Sequence, residues 1–364
     1  MAKIKYWDKL KEKIERGKQG LNTGIPFSNF KTLSSQIKNI QQGRYDLIFA
    51  GTGIGKTAFV NSTYVYGAIE FLQNNPDYVH RLEVIYFSLE IPPEHQIAKH
   101  ISQLIWDDYG ILTTKDQILS VGEESISPEI ESLINSYQEK MQEIQDKYLF
   151  FKPALNPDYL YKCLMDYAES RGTFIKSSDG KIIIDYIPND PGLITEVVID
   201  HIGLIDLGKY PDLKTAIDKC SKTLVFFRNM CNFTPIVITQ INRGSEQMNR
   251  RDNGDYWMPM LSDIKNTGNV GEDANTIIGL ASPFYLQVEN CLGYDITRYK
   301  DRYRLAKICK NRDGSSNLLA SFLFIGEVGK YEQLPLASEQ IGKPEELRRI
   351  DEWYKTKKEY EKES

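Results

Sequence analysis

The chain has no apolar run long enough to cross a bilayer as a helix. Its start, Met1-Ala2-Lys3-Ile4-Lys5-Tyr6-Trp7, lacks the apolar stretch of a secretory signal, so no membrane partner is expected. Cysteine is scarce. The five (Cys163, Cys220, Cys231, Cys291, Cys309) show no CxxC spacing, and a reducing, cytoplasmic setting is the simple reading. Histidine is scarcer, at positions 80, 95, 100 and 201. His95 and His100 stand at a poor spacing for a shared metal on a helix, and no cysteine flanks them. Excess positive charge is missing too: 45 Lys and Arg face 50 Asp and Glu, for a net charge of −5. That excludes a broad basic coat for nucleic acid. A narrow basic channel stays open, because only charge near the phosphates acts at physiological screening.

What is present is a 364-residue chain of ordinary hydrophobic content, enough for one large α/β domain or two smaller ones. Residues up to about 16 read as an amphipathic helix with Ile4, Trp7, Leu10 and Ile14 on one face. That stripe must cover either its own domain or a neighbouring subunit. From Gly43 onward, strand-like runs alternate with helical stretches: Tyr45–Ala50, Glu83–Ser88, Glu196–Ile199, Ile236–Thr239, Thr276–Leu280, Arg304–Cys309 and Leu318–Phe324. The pattern predicts an α/β fold with a mostly parallel central sheet flanked by helices, and its last two runs a C-terminal β-hairpin. Residues 113–147 read as an acidic helical insertion and 171–192 as a hairpin insertion around Ser177-Ser178-Asp179-Gly180. The expected division is a terminal helix at 1–20, an ATPase-type domain at 21–336 and a charged tail at 337–364. In the tail, Leu347, Ile350 and Tyr354 either line one helix face or belong to a frayed end.

The strongest local signal is Ala50-Gly51-Thr52-Gly53-Ile54-Gly55-Lys56-Thr57, set between the apolar run Leu47-Ile48-Phe49 and a helix over 58–72. This is the strand–loop–helix setting of a P-loop, although Ala50 stands where glycine is common. Its backbone N–H groups and the following helix start would cradle the phosphates of ATP. Lys56 would reach the β- and γ-phosphates, and the Thr57 hydroxyl would bind Mg²⁺.

Hydrolysis also needs a magnesium-positioning acid and a base for water. Asp200 ends the strand Val197-Val198-Ile199 and suits the first role, acting on Mg²⁺ through water; the plain alternative is a helix N-cap. Glu90 follows Val84-Ile85-Tyr86-Phe87-Ser88-Leu89 and suits the second; the alternative is a helix-start glutamate ahead of Pro92 and Pro93. Gln240 ends Ile236-Val237-Ile238-Thr239 and can report the γ-phosphate to the polar segment after it, which carries Arg243, Arg250 and Arg251. That segment is either a polymer-contacting loop or a solvated one.

The order of these motifs resembles the DnaB-like replicative helicases, hexameric relatives of RecA, over about residues 20–335. Phe87-Ser88-Leu89-Glu90 is similar to the family's FSLE, and Val198 to Ile205 to its VIDYLQLI. Thr239 to Glu246 resembles SQLNRxxE, Leu261 to Gly268 resembles LSDLRESG, Glu272-Asp273-Ala274 the EQDAD segment, and Lys310-Asn311-Arg312-Asp313-Gly314 resembles KxRxG. The resemblance implies a RecA-like P-loop NTPase core with Glu90 as catalytic base. It implies Lys310 and Arg312 as a finger pair delivered into the next subunit's ATP site. Lys265, Asn266, Thr267 and Gly268 would hold single-stranded DNA, with Arg243 nearby. It also implies a homo-oligomeric ring, a hexamer in the family, and a primase or helicase loader as further partners. The departures are His201 for the usual tyrosine, Ile91 for methionine, Lys265 for arginine and Asn266 for glutamate. The family's amino-terminal domain is expected to be absent, and such a minimal chain suits a bacterial or phage-encoded setting. The rival readings are a RecA-like ATPase that forms filaments or remodels protein–DNA complexes without unwinding, and a degenerate, non-catalytic interaction protein.

Overall fold

The protein is described by a computed structural model covering residues 6–27, 29–122, 125–152, 154–241, 257–264, 268–340 and 342–363. Its main sheet has nine strands, here β1 (Asp46–Ala50), β2 (Arg81–Ser88), β3 (Leu149–Lys152), β4 (Leu193–Asp200), β5 (Thr234–Gln240), β6 (Thr276–Ala281), β7 (Tyr303–Asn311), β8 (Leu318–Ile325) and β9 (Lys330–Gln333). Their spatial order is β9-β8-β7-β6-β1-β5-β4-β2-β3. From β3 to β6 all neighbours pair in parallel, and β7, β8 and β9 add an antiparallel meander. The expected α/β architecture is therefore present. The terminal hairpin is one strand richer, and β3 adds an edge strand beside β2.

Strand composition explains this layout. Every residue of β1 is buried, as a central parallel strand requires when helices cover both faces. Alternation divides it: Ile48 and Ala50 enter one core, with Val84, Val198 and Ile238, while Leu47 and Phe49 enter the other, with Ile85, Val197 and Val237. The P-loop helix (Lys56–Val60) continues through a π-helical turn at Asn61–Val65 into Tyr66–Asn74.

The less regular stretches are attached rather than loose. Within 113–147, Tyr137, Met141 and Ile144 enter the first core, more apolar anchoring than their acidic surroundings suggest. Gly172–Lys176 and Ile183–Pro188 form a separate antiparallel hairpin. Helix Glu345–Glu363 buries Leu347 and Ile350 in a third cluster with Trp106, Tyr303 and Leu323. The helix face read from those residues is thus seated on the body, although its charged sequence also allowed a frayed end. The amino-terminal helix Tyr6–Lys18 behaves oppositely. Arg16 ties it to Gln42 and to the Pro191 carbonyl, yet Trp7, Leu10 and Ile14 stay 64%, 46% and 49% exposed.

The carboxy-terminal helix is fastened partly by one ion pair. Arg302 donates to both Glu327 oxygens at 2.9 and 2.6 Å, and the Tyr354 hydroxyl donates to Glu327 at 3.0 Å. Burial alone would raise this carboxyl; the Arg302 contacts outweigh it and bring its pKa down to about 2. A depressed carboxylate contributes stability above its unfolded value, and that contribution fades as pH falls through the folded one. Glu327→Gln is expected to cost about 1–3 kcal/mol at neutral pH. In thermal melts the gap from wild type should narrow as pH drops from about 4.5 toward 2. A gap independent of pH would contradict this assignment.

Candidate active site

The parallel register assembles the site. Ala50 pairs with Gln240, and Ser88 pairs with Asp200, so four strand ends meet along one crest. Beyond Ala50 the chain turns through Gly51–Gly55 into the P-loop helix. Gly53 and Gly55 have φ of 76° and 97°, a region that side chains disfavour. A Cβ on Gly55 would also lie 2.9 Å from the Phe324 ring and 3.0 Å from the Tyr331 hydroxyl.

Two residues from the antiparallel half pin this loop. Arg304 Nε and the Tyr331 hydroxyl both donate to the Ile54 carbonyl, at 2.9 and 2.8 Å. Arg304 is fully buried, donates also to the Tyr303 carbonyl, and lies 4.9 Å from the Phe324 ring centroid. A buried guanidinium is costly unless its donors are satisfied, and here backbone carbonyls do so. Neither residue was legible as part of the site, because β9 carries no marked strand pattern and Arg304 reads as a solvated charge.

Lys56 is buried, and its Nζ donates to the Gly51 carbonyl at 2.9 Å. The Thr57 hydroxyl donates to Asp200 Oδ2 at 2.7 Å, and the Tyr86 hydroxyl approaches the same oxygen at 3.3 Å. Asp200 Oδ1 is buried with no hydrogen-bond partner. Burial, with repulsion from Glu90, raises the Asp200 pKa to about 6 against the opposing pull of Thr57, Tyr86 and Lys56. An orphaned carboxylate oxygen beside a threonine hydroxyl fits Mg²⁺. That ion favours one or two protein oxygens plus water and phosphate over a full protein cage. Among the described residues no group of three or more His, Cys, Asp or Glu could hold a metal, which agrees with such sparse protein ligation.

Glu90 stands beside Asp200, both its backbone N–H and that of Leu89 donating to the Asp200 carbonyl, at 3.2 and 2.7 Å. Its side chain is partly exposed and lines a cavity of about 440 Å³ with Lys56, Thr57 and Gln240. Between Glu90 and Gln240 lies His201, a site residue that sequence reasoning noted only as a departure. The Gly203 N–H donates to His201 Nδ1 at 3.1 Å, so in the neutral ring Nε2 carries the proton. That nitrogen is 3.8 Å from Glu90 Oε2 and 3.2 Å from the Gln240 amide. A ring N–H needs an acceptor, so the Gln240 amide is oriented with its oxygen toward His201.

Lys310 and Arg312 are elsewhere. Lys310 pairs with Ile277 and Asn311 with Thr276, while Thr276 pairs with Asp46 at the beginning of β1. They therefore lie at the opposite edge of the sheet, about 13 Å or more from the crest at ~3.3 Å per residue. Of the candidate DNA contacts, Gly268 begins the helix Gly268–Asp273. Arg243, Lys265, Asn266 and Thr267 lie outside the described residues.

Comparison with known proteins agrees with this geometry. Residues 189–333 match the family model of the DnaB-like helicase C terminal domain. The chain carries a DnaB-like helicase domain. Its matched segment contains Asp200, Gln240, Lys310 and Arg312, whereas Lys56 and Glu90 precede it. Two solved structures share the fold of this DnaB-like chain. One, the ATPase domain of a DnaB-like helicase, is 21% identical, with a TM-score of 0.63 over 91% of this chain and 98% of its own. The other, a DnaB-like replicative helicase solved in a study of its interactions with primase, is 21% identical, with a TM-score of 0.64 over 92% of this chain and 68% of its own. No curated protein matches significantly. Among the described residues no helix is long and apolar enough to cross a membrane.

The pinning of the P-loop gives a direct test. Arg304→Met removes one donor to Ile54 while keeping bulk, and is expected to weaken nucleotide binding about tenfold, about 1.4 kcal/mol, in a fluorescent-nucleotide titration. Unchanged affinity would mean that the loop holds its shape without the buried arginine.

Proposed function

We propose that this protein is an ATP-driven DNA helicase motor working as a ring of identical subunits, with each ATP site completed by Lys310 and Arg312 of the adjoining subunit. The observation that carries the reading is the separation within one chain. Phosphate cradle, acid and base gather at the crest, while the two finger candidates sit at the opposite edge, beyond reach of their own P-loop. Head-to-tail packing of identical chains brings such edges together, and a closed rotation yields a ring. The exposed stripe of Trp7, Leu10 and Ile14 supports association, since a helix with an uncovered apolar face gains by docking on a neighbour.

In this reading the P-loop amides and Lys56 bind the triphosphate of ATP. A bound Mg²⁺, held through Thr57 and Asp200, supplies charge neutralisation between the β- and γ-phosphates. Glu90 accepts the proton of the attacking water, and His201 keeps Glu90 and Gln240 in register across the cavity. The neighbour's Arg312 stabilises the charge that spreads over the transferred phosphoryl group, so turnover depends on assembly. Gln240 reports loss of the γ-phosphate to the segment that follows it. Arg243, Lys265, Asn266, Thr267 and Gly268 are the proposed contacts to the backbone of single-stranded DNA, where lysine and backbone amides suit a sequence-blind grip. A hexamer, a primase or a loader as partner, and a cytoplasmic setting complete the proposal.

The test uses a forked duplex and steady-state hydrolysis. Glu90→Gln is expected to keep nucleotide binding, to slow hydrolysis about 10²–10⁴-fold and to abolish strand separation. Wild-type hydrolysis stimulated by single-stranded DNA, but without strand separation, would instead favour a RecA-like remodelling ATPase. Full hydrolysis by Glu90→Gln would remove it from the role of base.

A further inference from the structure

The finger pair is engaged within its own subunit. Lys310 Nζ donates to the Gly271 and Glu272 carbonyls at 2.9 and 2.8 Å, and Arg312 Nη2 donates to the Glu272 carbonyl. The Arg312 backbone N–H also donates to the Asn275 carbonyl at 3.0 Å. These carbonyls close the helix Gly268–Asp273, where the chain leaves acceptors without intrahelical donors and the helix dipole is negative.

A third cation shares this helix end. Arg228, from helix Leu213–Cys231, directs Nη1 to the Asp273 carbonyl at 2.8 Å and to Asn275 Oδ1 at 3.1 Å. Ser221 on the same helix donates to Asp273 Oδ2 at 2.6 Å, and Asn275 is bonded through its own backbone N–H to the Tyr45 carbonyl. Arg228 thus belongs to a knot of half-buried groups next to the start of β1. Arg312 is exposed and holds the helix through a single side-chain contact, and the Glu272 it touches is exposed as well. Water can replace the pair at Glu272, whereas the Asp273 carbonyl beside buried Ala274 depends more on Arg228. The three cations also oppose one another. Burial, then the nearby Arg312 guanidinium, lowers both Arg228 and Lys310 from their ordinary values.

We propose that Arg228 is a positioning residue for the finger pair. It caps the Gly268–Asp273 helix permanently, while Lys310 and Arg312 exchange between that helix end and the triphosphate held by the adjoining subunit. The proposal rests on the trans-acting finger reading given above. When the pair leaves, Arg228 keeps the helix end satisfied, so β7 and its tip hold their place. While the pair stays, the positive charge of Arg228 weakens its hold and favours transfer to a polyanion. Loss of Arg228 therefore both loosens the support and tightens the resting contact, and each effect slows delivery of Arg312.

Steady-state ATP hydrolysis by the full chain, saturated with single-stranded DNA, tests this with Arg228→Ala, Arg228→Gln, Arg228→Lys and Arg312→Ala side by side. Arg228→Ala is expected to lower kcat about fivefold or more while KM for ATP stays within about twofold, because the loss falls on transition-state stabilisation. Arg228→Lys should restore most of kcat. If Arg228→Ala does not fold, Arg228→Gln, which keeps an N–H donor without the charge, is expected to show the same fall. A kcat within about twofold of wild type for the neutral variants, while Arg312→Ala is inactive, overturns the proposal and leaves the finger reading intact. A loss carried by KM, or a lysine no better than alanine, also overturns it. Wild-type turnover by Arg312→Ala would instead bring down the finger reading itself.

Discussion

Parallel pairing of β1 with β5 and of β2 with β4 is the constraint on which the rest of the molecule depends. Parallel strands share a direction, so their carboxyl ends come out along one crest whatever their order in sequence. The P-loop, Glu90, Asp200 and Gln240 come from segments spread over nearly two hundred positions, yet all follow or end such strands. The same rule sends Lys310 and Arg312 away. Their strand runs antiparallel to β6, and its far end comes out at the edge opposite the phosphate cradle. A single geometric fact thus collects most of the chemistry and leaves one part for another chain to supply.

The antiparallel half does more than lengthen the sheet. Arg304 on β7 and Tyr331 on β9 reach across to the Ile54 carbonyl and hold the P-loop backbone in place. Because β7 also ends in the finger pair, one strand touches the chain's own nucleotide site near its beginning and carries the trans-acting charges near its end. Movement of β7 is therefore felt at both places. The Gly268–Asp273 helix, bonded to Lys310 and Arg312, is a third element attached to that strand.

Much of this was legible in the residues themselves. The P-loop announces itself through its glycines and its strand-to-helix context, and Asp200 through its place after a buried apolar run. The seven apolar runs correspond to observed strands because buried parallel strands have distinctive β-branched sequences. β3 and β9 escaped because short edge strands carry little periodicity. The roles of Arg304 and Arg228 were invisible for another reason: whether an arginine is solvated or buried against carbonyls depends on partners far away in sequence. His201 stood out only as an unusual neighbour of Asp200. Its link from Glu90 to Gln240 required the geometry of three strands.

Complementation between two inactive variants tests the shared pocket most directly. Lys56→Ala cannot bind the triphosphate properly, and Arg312→Ala cannot complete its neighbour's site. Mixed at equal amounts and allowed to exchange subunits, they should regain hydrolysis, with about a quarter of the interfaces joining an intact cradle to an intact finger. No recovery from exchanged mixtures, or full activity of Arg312→Ala alone, would contradict a pocket divided between two chains.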